Sequence, residues 1–164
     1  MIHLFCGGRS SLNKLNEELD GLKVVINFGF LYCKKFDILF WGDTIVGDKL
    51  KEIYIEKPSF KLVALEKHGG KASDWVDEYY AYKFGVFTTV WALMWLRERY
   101  DDDIYVYGLD GDGIAYYDKA AEQNGVEERI RRLKICYSQL DALPKAGIYN
   151  MNLNSPYKGF EFCR

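Results

Sequence analysis

The sequence contains no apolar run near the roughly 18 residues that a membrane-spanning helix needs, and Met1-Ile2-His3-Leu4-Phe5 lacks the charged start of a signal peptide. An excess of one charge sign is missing too: 22 lysines and arginines stand against 24 acids, interspersed, for a formal balance of -2. That excludes a general electrostatic pull toward nucleic acid or an anionic membrane surface. Histidine is scarce, and Cys6, Cys33, Cys136 and Cys163 show no CxxC or Cys/His ligand spacing. Buried free thiols are therefore expected rather than a zinc site, and disulfides are not expected in a reducing compartment. No internal repeat, low-complexity segment or linker is present, so residues 1–164 read as a single domain with a real core. The expectation is a soluble, cytoplasmic protein with no membrane span, its self-association left open.

What the chain does have is alternation. Ile2 to Phe5 is a short apolar run closed by Cys6-Gly7-Gly8-Arg9-Ser10-Ser11, and Leu12, Leu15 and Leu19 follow at helical spacing. This reads as strand, glycine loop and amphipathic helix over Ser10 to Leu19. Val24-Val25-Ile26 ends at Asn27, and Asp37-Ile38-Leu39-Phe40-Trp41 ends at Gly42-Asp43-Thr44, where a helix carrying Ile45, Leu50 and Ile53 begins. Lys61-Leu62-Val63-Ala64-Leu65 is a fourth strand, followed by the loop His68-Gly69-Gly70-Lys71 and a helical segment from Trp75 to Tyr82. Thr88 and Thr89 are candidate N-caps for the run Val90 to Leu96, apolar almost all round and so a buried helix. Ile104 to Tyr107 is a strand that must turn at Gly108-Leu109-Asp110-Gly111-Asp112-Gly113. Val126, Ile130, Leu133, Tyr137 and Leu140 mark a surface helix with one apolar face, Pro144 ends it, and Ile148 to Met151 is a last strand before Asn152-Leu153-Asn154-Ser155. The pattern implies an α/β fold: one Rossmann-like domain, a mostly parallel sheet of about six strands with helices on both faces.

Ligands of such sheets bind where strands end, so the strand-end loops are where chemistry is sought. Gly7 and Gly8 allow close backbone approach, and amides near Ser10 and Ser11 suit an anion such as a phosphate; the same residues also make an ordinary βα turn. Asp110-Gly111-Asp112 is either a solvated turn or the Asp-x-Asp pattern by which nucleotide-sugar transferases hold Mg or Mn through hard carboxylate oxygens, here Asp110 and Asp112. His68, beside glycines, is a candidate general base because histidine ordinarily titrates near ~6.5. Arg129, Arg131, Arg132 and Lys134 are either the solvated face of their helix or phosphate contacts. Gly7, Ser11, Asn27, Asp110 and Asn154 are expected to converge on one cleft at the carboxyl edge of the sheet.

Gly7-Gly8-Arg9-Ser10-Ser11-Leu12 resembles the glycine-rich opening of the bacterial lipooligosaccharide-type sialyltransferases, the archaeal hydroxymethylpterin pyrophosphokinase-like proteins and related phage proteins. Asn27 is similar to their asparagine after the second strand. Thr88-Thr89-Val90-Trp91 with Ile104 to Asp110 looks like their helix and "IYLxGxD" unit, and Tyr149 to Ser155 resembles their C-terminal strand and "NS" motif. The resemblance implies a glycosyltransferase-like protein that binds a CMP-sialic-acid-like nucleotide-sugar and transfers the sugar to an acceptor hydroxyl. It makes Gly7, Ser11, Asn27, Asn154 and Ser155 donor-site residues, with Tyr116 or Tyr117 on the phosphate; Gly8 and Ser10 join the candidate binding residues from the glycine-loop reading above. Arg9 and Ser10 depart from the family's opening, and its lid histidine has no counterpart between Asp118 and Leu140. His68 and Asp110 are therefore the candidate catalytic groups. Two other readings stand beside this one: a non-catalytic nucleotide or nucleotide-sugar binding protein, and a metal-dependent pyrophosphokinase-like transferase using carboxylates such as Asp43, Asp110 and Asp112.

Overall fold

In the computed structural model, residues 1–114 and 125–162 are described; Tyr116, Tyr117 and Cys163 lie outside them. The strands are β1 (Ile2–Phe5), β2 (Leu22–Ile26), β3 (Ile38–Trp41), β4 (Lys61–Leu65), β5 (Glu78–Tyr80), β6 (Ile104–Tyr107), β7 (Ile148–Asn150) and β8 (Glu161–Phe162). All eight join one sheet in the order β5-β4-β3-β2-β1-β6-β7-β8, and every pairing is parallel. The fold is α/β with two strands more than the sequence pattern suggests. One is β8, only two residues long and too short to leave a periodic signal.

The helices are α1 (Leu12–Leu15), α2 (Thr44–Ile53), α3 (Thr88–Arg97) and α4 (Val126–Asp141). They cover both faces, because alternate residues of each strand point to opposite sides. Leu4, Val24, Phe40, Val63 and Val106 pack with α3 and with Cys136 and Leu140 of α4. Phe5, Val25, Leu39, Leu62 and Tyr107 pack on the other side with Leu15, Val46 and Leu50. Strands buried on both faces read as unbroken apolar runs, as β3 does; β1 is buried throughout as well, with His3 its one polar residue. Val90 to Leu96 of α3 is buried throughout, as its all-round apolar sequence demands.

Two segments differ from expectation for identifiable reasons. The helix expected to reach Leu19 ends at Leu15, whose carbonyl accepts from both Lys23 Nζ and Cys33 Sγ. Asn16 then bridges the Tyr32 carbonyl and the Lys34 amide at 3.0 and 2.9 Å, so side chains have taken over where helical bonds would continue. The segment expected as a helix from Trp75 to Tyr82 contains β5 instead. Asp77 Oδ2 accepts from the Leu62 amide at 2.8 Å while the Asp77 amide donates to the Leu62 carbonyl at 2.9 Å, pinning this aromatic stretch beside β4. Among the described residues, no helix is long and apolar enough to cross a membrane.

Candidate functional site

Strand order reverses between β1 and β6. Chain continues outward from β1 through β2 to β5 on one side and from β6 through β8 on the other. At such a switch point the loops after the two central strands diverge and leave a crevice at the carboxyl ends. Here they are Cys6 to Ser11 and Gly108 to Gly113, and they bound a cleft of about 420 Å³. Asn27 and Asp43 reach it from the ends of β2 and β3, Phe87 and Thr88 from the start of α3, and Arg129, Arg132 and Tyr137 from α4.

The floor is shaped by glycine. Gly108, Gly111 and Gly113 have φ of +82°, +72° and +74°, a region that residues with a Cβ rarely enter, so the acidic loop turns three times at glycines. Gly8 serves close packing within the protein. A Cβ there would stand 2.3 Å from the Gly108 carbonyl oxygen and 2.7 Å from Asp110 Cγ. The two loops are therefore pressed together at Gly8.

Asp110 ties them. Its Oδ2 accepts from the Ser10 backbone amide at 2.7 Å, and its Oδ1 accepts from Ser10 Oγ and, at 2.8 Å, from Asn152 Nδ2. One carboxylate thus joins the loops after β1, β6 and β7. It also occupies the anion position at the Ser10 amide that the sequence offers to a phosphate. Asp112 Oδ1 accepts from the Ile114 amide at 2.9 Å, closing a local turn. Both Asp110 oxygens, which the Asp-x-Asp reading would turn toward Mg or Mn, are engaged by protein donors. No group of three metal-ligating side chains gathers among the described residues.

Asn27 works as a staple. Its backbone is left-handed, with φ of +47°. Its Nδ2 donates to Thr88 Oγ1 at 3.1 Å, and its Oδ1 accepts from the Gly42 amide at 3.2 Å, linking the ends of β2 and β3 to the first residue of α3. Thr88 accordingly sits inside the helix, whose N-cap residue is Phe87 with no side-chain cap bond.

Other sequence candidates lie elsewhere or face inward. Ser11 is buried, and its hydroxyl donates to the Gly8 carbonyl at 2.8 Å. Ser155 is buried, with its hydroxyl donating to the Leu109 carbonyl. Asn154 is exposed and its amide donates to Asn152 Oδ1 at 3.0 Å, so Asn152 is the asparagine of that loop that reaches the acidic turn. His68 follows β4, three strands from β1, and does not line the cleft; its carbonyl accepts from Trp41 Nε1 at 2.8 Å. Of the five residues expected to converge, Gly7, Asn27 and Asp110 line the cleft, while Ser11 and Asn154 do not.

α4 supplies the cleft's cations. Arg129 Nη1 donates to the Gly113 carbonyl at 3.5 Å, and the Arg132 guanidinium lies over the Phe87 ring, 5.6 Å from its centroid. Arg131, between them in sequence, turns the other way and binds Glu128 through two bonds of 2.7 Å. A helical period separates them: Arg129, Arg132, Leu133, Cys136 and Tyr137 share the cleft side of α4. That spacing was the available signal for these arginines. For Asn152 the signal was weaker, an alternation of asparagines after β7.

The cleft's thiols are not prepared for nucleophilic attack. Burial pushes Cys6 up to about 12, and burial with the neighbouring Cys6 pushes Cys136 up to about 12, leaving both protonated at neutral pH. Tyr137 is also pushed up to about 12, by burial and then by Cys136, Asp110 and Asp112. Its hydroxyl is buried with no hydrogen-bond partner among the described residues.

No protein-family model, curated protein or solved structure matches this chain.

Proposed function

We propose that this chain binds a nucleotide or nucleotide-sugar in the switch-point cleft and acts as a small transferase, with a CMP-sialic-acid-like donor as the leading ligand. The observation that carries the reading is the cleft itself. About 420 Å³ of space lies at the carboxyl ends of β1 and β6, with glycine loops on its floor and arginines on the helix above. That volume falls within the ordinary range for small-molecule sites. The arginines suit a phosphate, and Phe87 and Trp91 offer apolar surface to a base or sugar ring.

In the transfer reaction the acceptor hydroxyl attacks the anomeric carbon and the bond from that carbon to the phosphate oxygen breaks. The nucleotide leaves as an anion, and a base takes the acceptor proton. Asp43 and Asp112, both exposed and both lining the cleft, are the carboxylates placed to take that proton. Asp110 is committed to holding three loops together, and His68 is outside the cleft.

A binding protein without turnover is the second reading. The engagement of both Asp110 oxygens favours it, because the most central carboxylate of the cleft then serves architecture. Thermal shift of the intact chain against CMP, UDP, GDP and ATP and their sugar conjugates, with and without Mn, tests binding. A ligand at 100 times its dissociation constant stabilises the fold by about 2.7 kcal/mol, which is readily visible. Donor hydrolysis or transfer measured on the same samples separates the two readings. A flat response across the whole panel contradicts both.

A further inference from the structure

We infer that the anion subsite of this cleft lies under α4, with Arg132 as its principal phosphate contact and Arg129 beside it, and not on the amides of the first loop. The inference rests on the nucleotide reading above and specifies where the phosphate of that ligand is held.

Three observations meet here. The first-loop position is already filled: the Ser10 amide and hydroxyl are both spent on Asp110, and a phosphate arriving there would have to displace a carboxylate that also holds Asn152. It would also meet that carboxylate's negative charge at contact distance. Second, the cations on α4 are unequal. Arg131 is neutralised by a two-point bond to Glu128 on the outer face. Arg132 makes no ion pair with any described residue and lies over Phe87 at the cleft wall. A guanidinium held over a ring face by its charge keeps N–H donors available, and a planar fork of donors matches two phosphate oxygens. Third, Arg129 stands three residues earlier on the same side of the helix and reaches the Gly113 carbonyl, so the two guanidiniums flank the mouth from the α3 side to the acidic-loop side.

The arrangement also orients the ligand. Asp43, Asp110 and Asp112 repel phosphate from the strand ends, so the anion sits outward under α4 and the uncharged part of the ligand points inward toward Gly7 and Asn27. Ribose or sugar hydroxyls, which donate to carboxylates, suit the acidic side.

The test compares the intact chain with Arg132→Ala, Arg131→Ala and Ser10→Ala by calorimetric titration with inorganic pyrophosphate, with CMP and the other nucleotides, and with the matching nucleosides. The expected result for Arg132→Ala is a loss of roughly 10- to 100-fold in affinity for pyrophosphate and nucleotide, with nucleoside affinity unchanged. Arg131→Ala serves as the charge-matched control and keeps parent affinity. Circular dichroism of each variant confirms that folding is retained, and Arg132→Lys, which keeps charge without the fork, should recover part of the loss. Nucleotide binding that is indifferent to Arg132→Ala, whatever Ser10→Ala does, overturns the inference while leaving the nucleotide reading intact. Pyrophosphate binding that depends on Arg132, with no nucleotide bound by the intact chain, supports the anion subsite and overturns the nucleotide reading. Binding of neither overturns both.

Discussion

The carboxylate of Asp110 accepts a hydrogen bond from the backbone amide of Ser10 at 2.7 Å, joining residues 100 positions apart in the chain. This contact closes the switch point. The loops after β1 and β6 diverge by topology, and Asp110 brings their tips back together, with Asn152 as the third member.

Asp110→Ala should therefore destabilise the fold by about 1.5–3 kcal/mol, the range for hydrogen bonds to a charged acceptor. Asp110→Asn keeps one acceptor and should cost less. Urea unfolding of both variants checks this, and a change under about 0.5 kcal/mol for the alanine would show that the clamp contributes nothing.

Glycine substitutions should separate close packing from ligand approach. Gly8→Val drives a side chain into the Gly108 carbonyl, so its first effect is a lowered melting temperature rather than a selective loss of binding. Gly47→Ala is the sharper case. In an open helix alanine gains about 1 kcal/mol over glycine, yet here its Cβ would lie 1.9 Å from the Gly69 carbonyl oxygen. Overpacking of that kind costs typically about 1–3 kcal/mol, so the net change should be a loss of stability. A rise in melting temperature for Gly47→Ala would contradict the packing of α2 on the Gly69 turn.

Tyr137→Phe removes a buried hydroxyl that no described residue bonds. An unsatisfied buried polar group costs about 1–3 kcal/mol, so the phenylalanine variant should be as stable as the parent or more so. Loss of more than about 1 kcal/mol would mean that the hydroxyl has a partner in the folded chain.

His3 gives a pH signature. Burial holds its pKa below the ordinary 6.5, while its ring nitrogens bond the Tyr107 hydroxyl and the Asp20 carbonyl, each at 3.0 Å. The unfolded chain therefore takes up the proton first as pH falls through about 6.5, and stability declines from there toward the lower folded value. The carboxylates held low by cations, such as Glu128 beside Arg131, lose their contribution at more acid pH, below their ordinary 4.5. His3→Gln should flatten the stability profile just below about pH 6.5 and leave the acid limb. An unchanged slope in that window would assign it to other groups.

The parallel α/β arrangement was legible because buried parallel strands announce themselves as apolar runs such as Ile38 to Trp41, and α3 as an apolar stretch of helical length. The place of the cleft was legible for the same reason: glycines and carboxylates fall where those runs stop. Side-chain use was not legible. Ser10 and Asp110 each carry a chemical type that suits a ligand, and only their mutual distance shows that they satisfy each other. Asn27 was readable as a strand-end polar residue, but its role as a staple between Gly42 and Thr88 depends on partners 15 and 61 positions away. The short α1 and the strand β5 were lost to long-range bonds from Lys23, Cys33 and Leu62, which no local pattern encodes.

The most direct test is amide-resolved NMR of the intact chain titrated with a nucleotide that raises its melting temperature. Binding in the switch-point cleft predicts saturable shifts at Gly7, Gly8, Thr88, the glycines from Gly108 to Gly113 and the amides around Arg129 and Arg132, the residues that surround it. Shifts confined to Lys67, Gly69, Gly70 and Ser73, which line the separate hollow beside the start of α2, with the β1 and β6 loops unmoved, would contradict it.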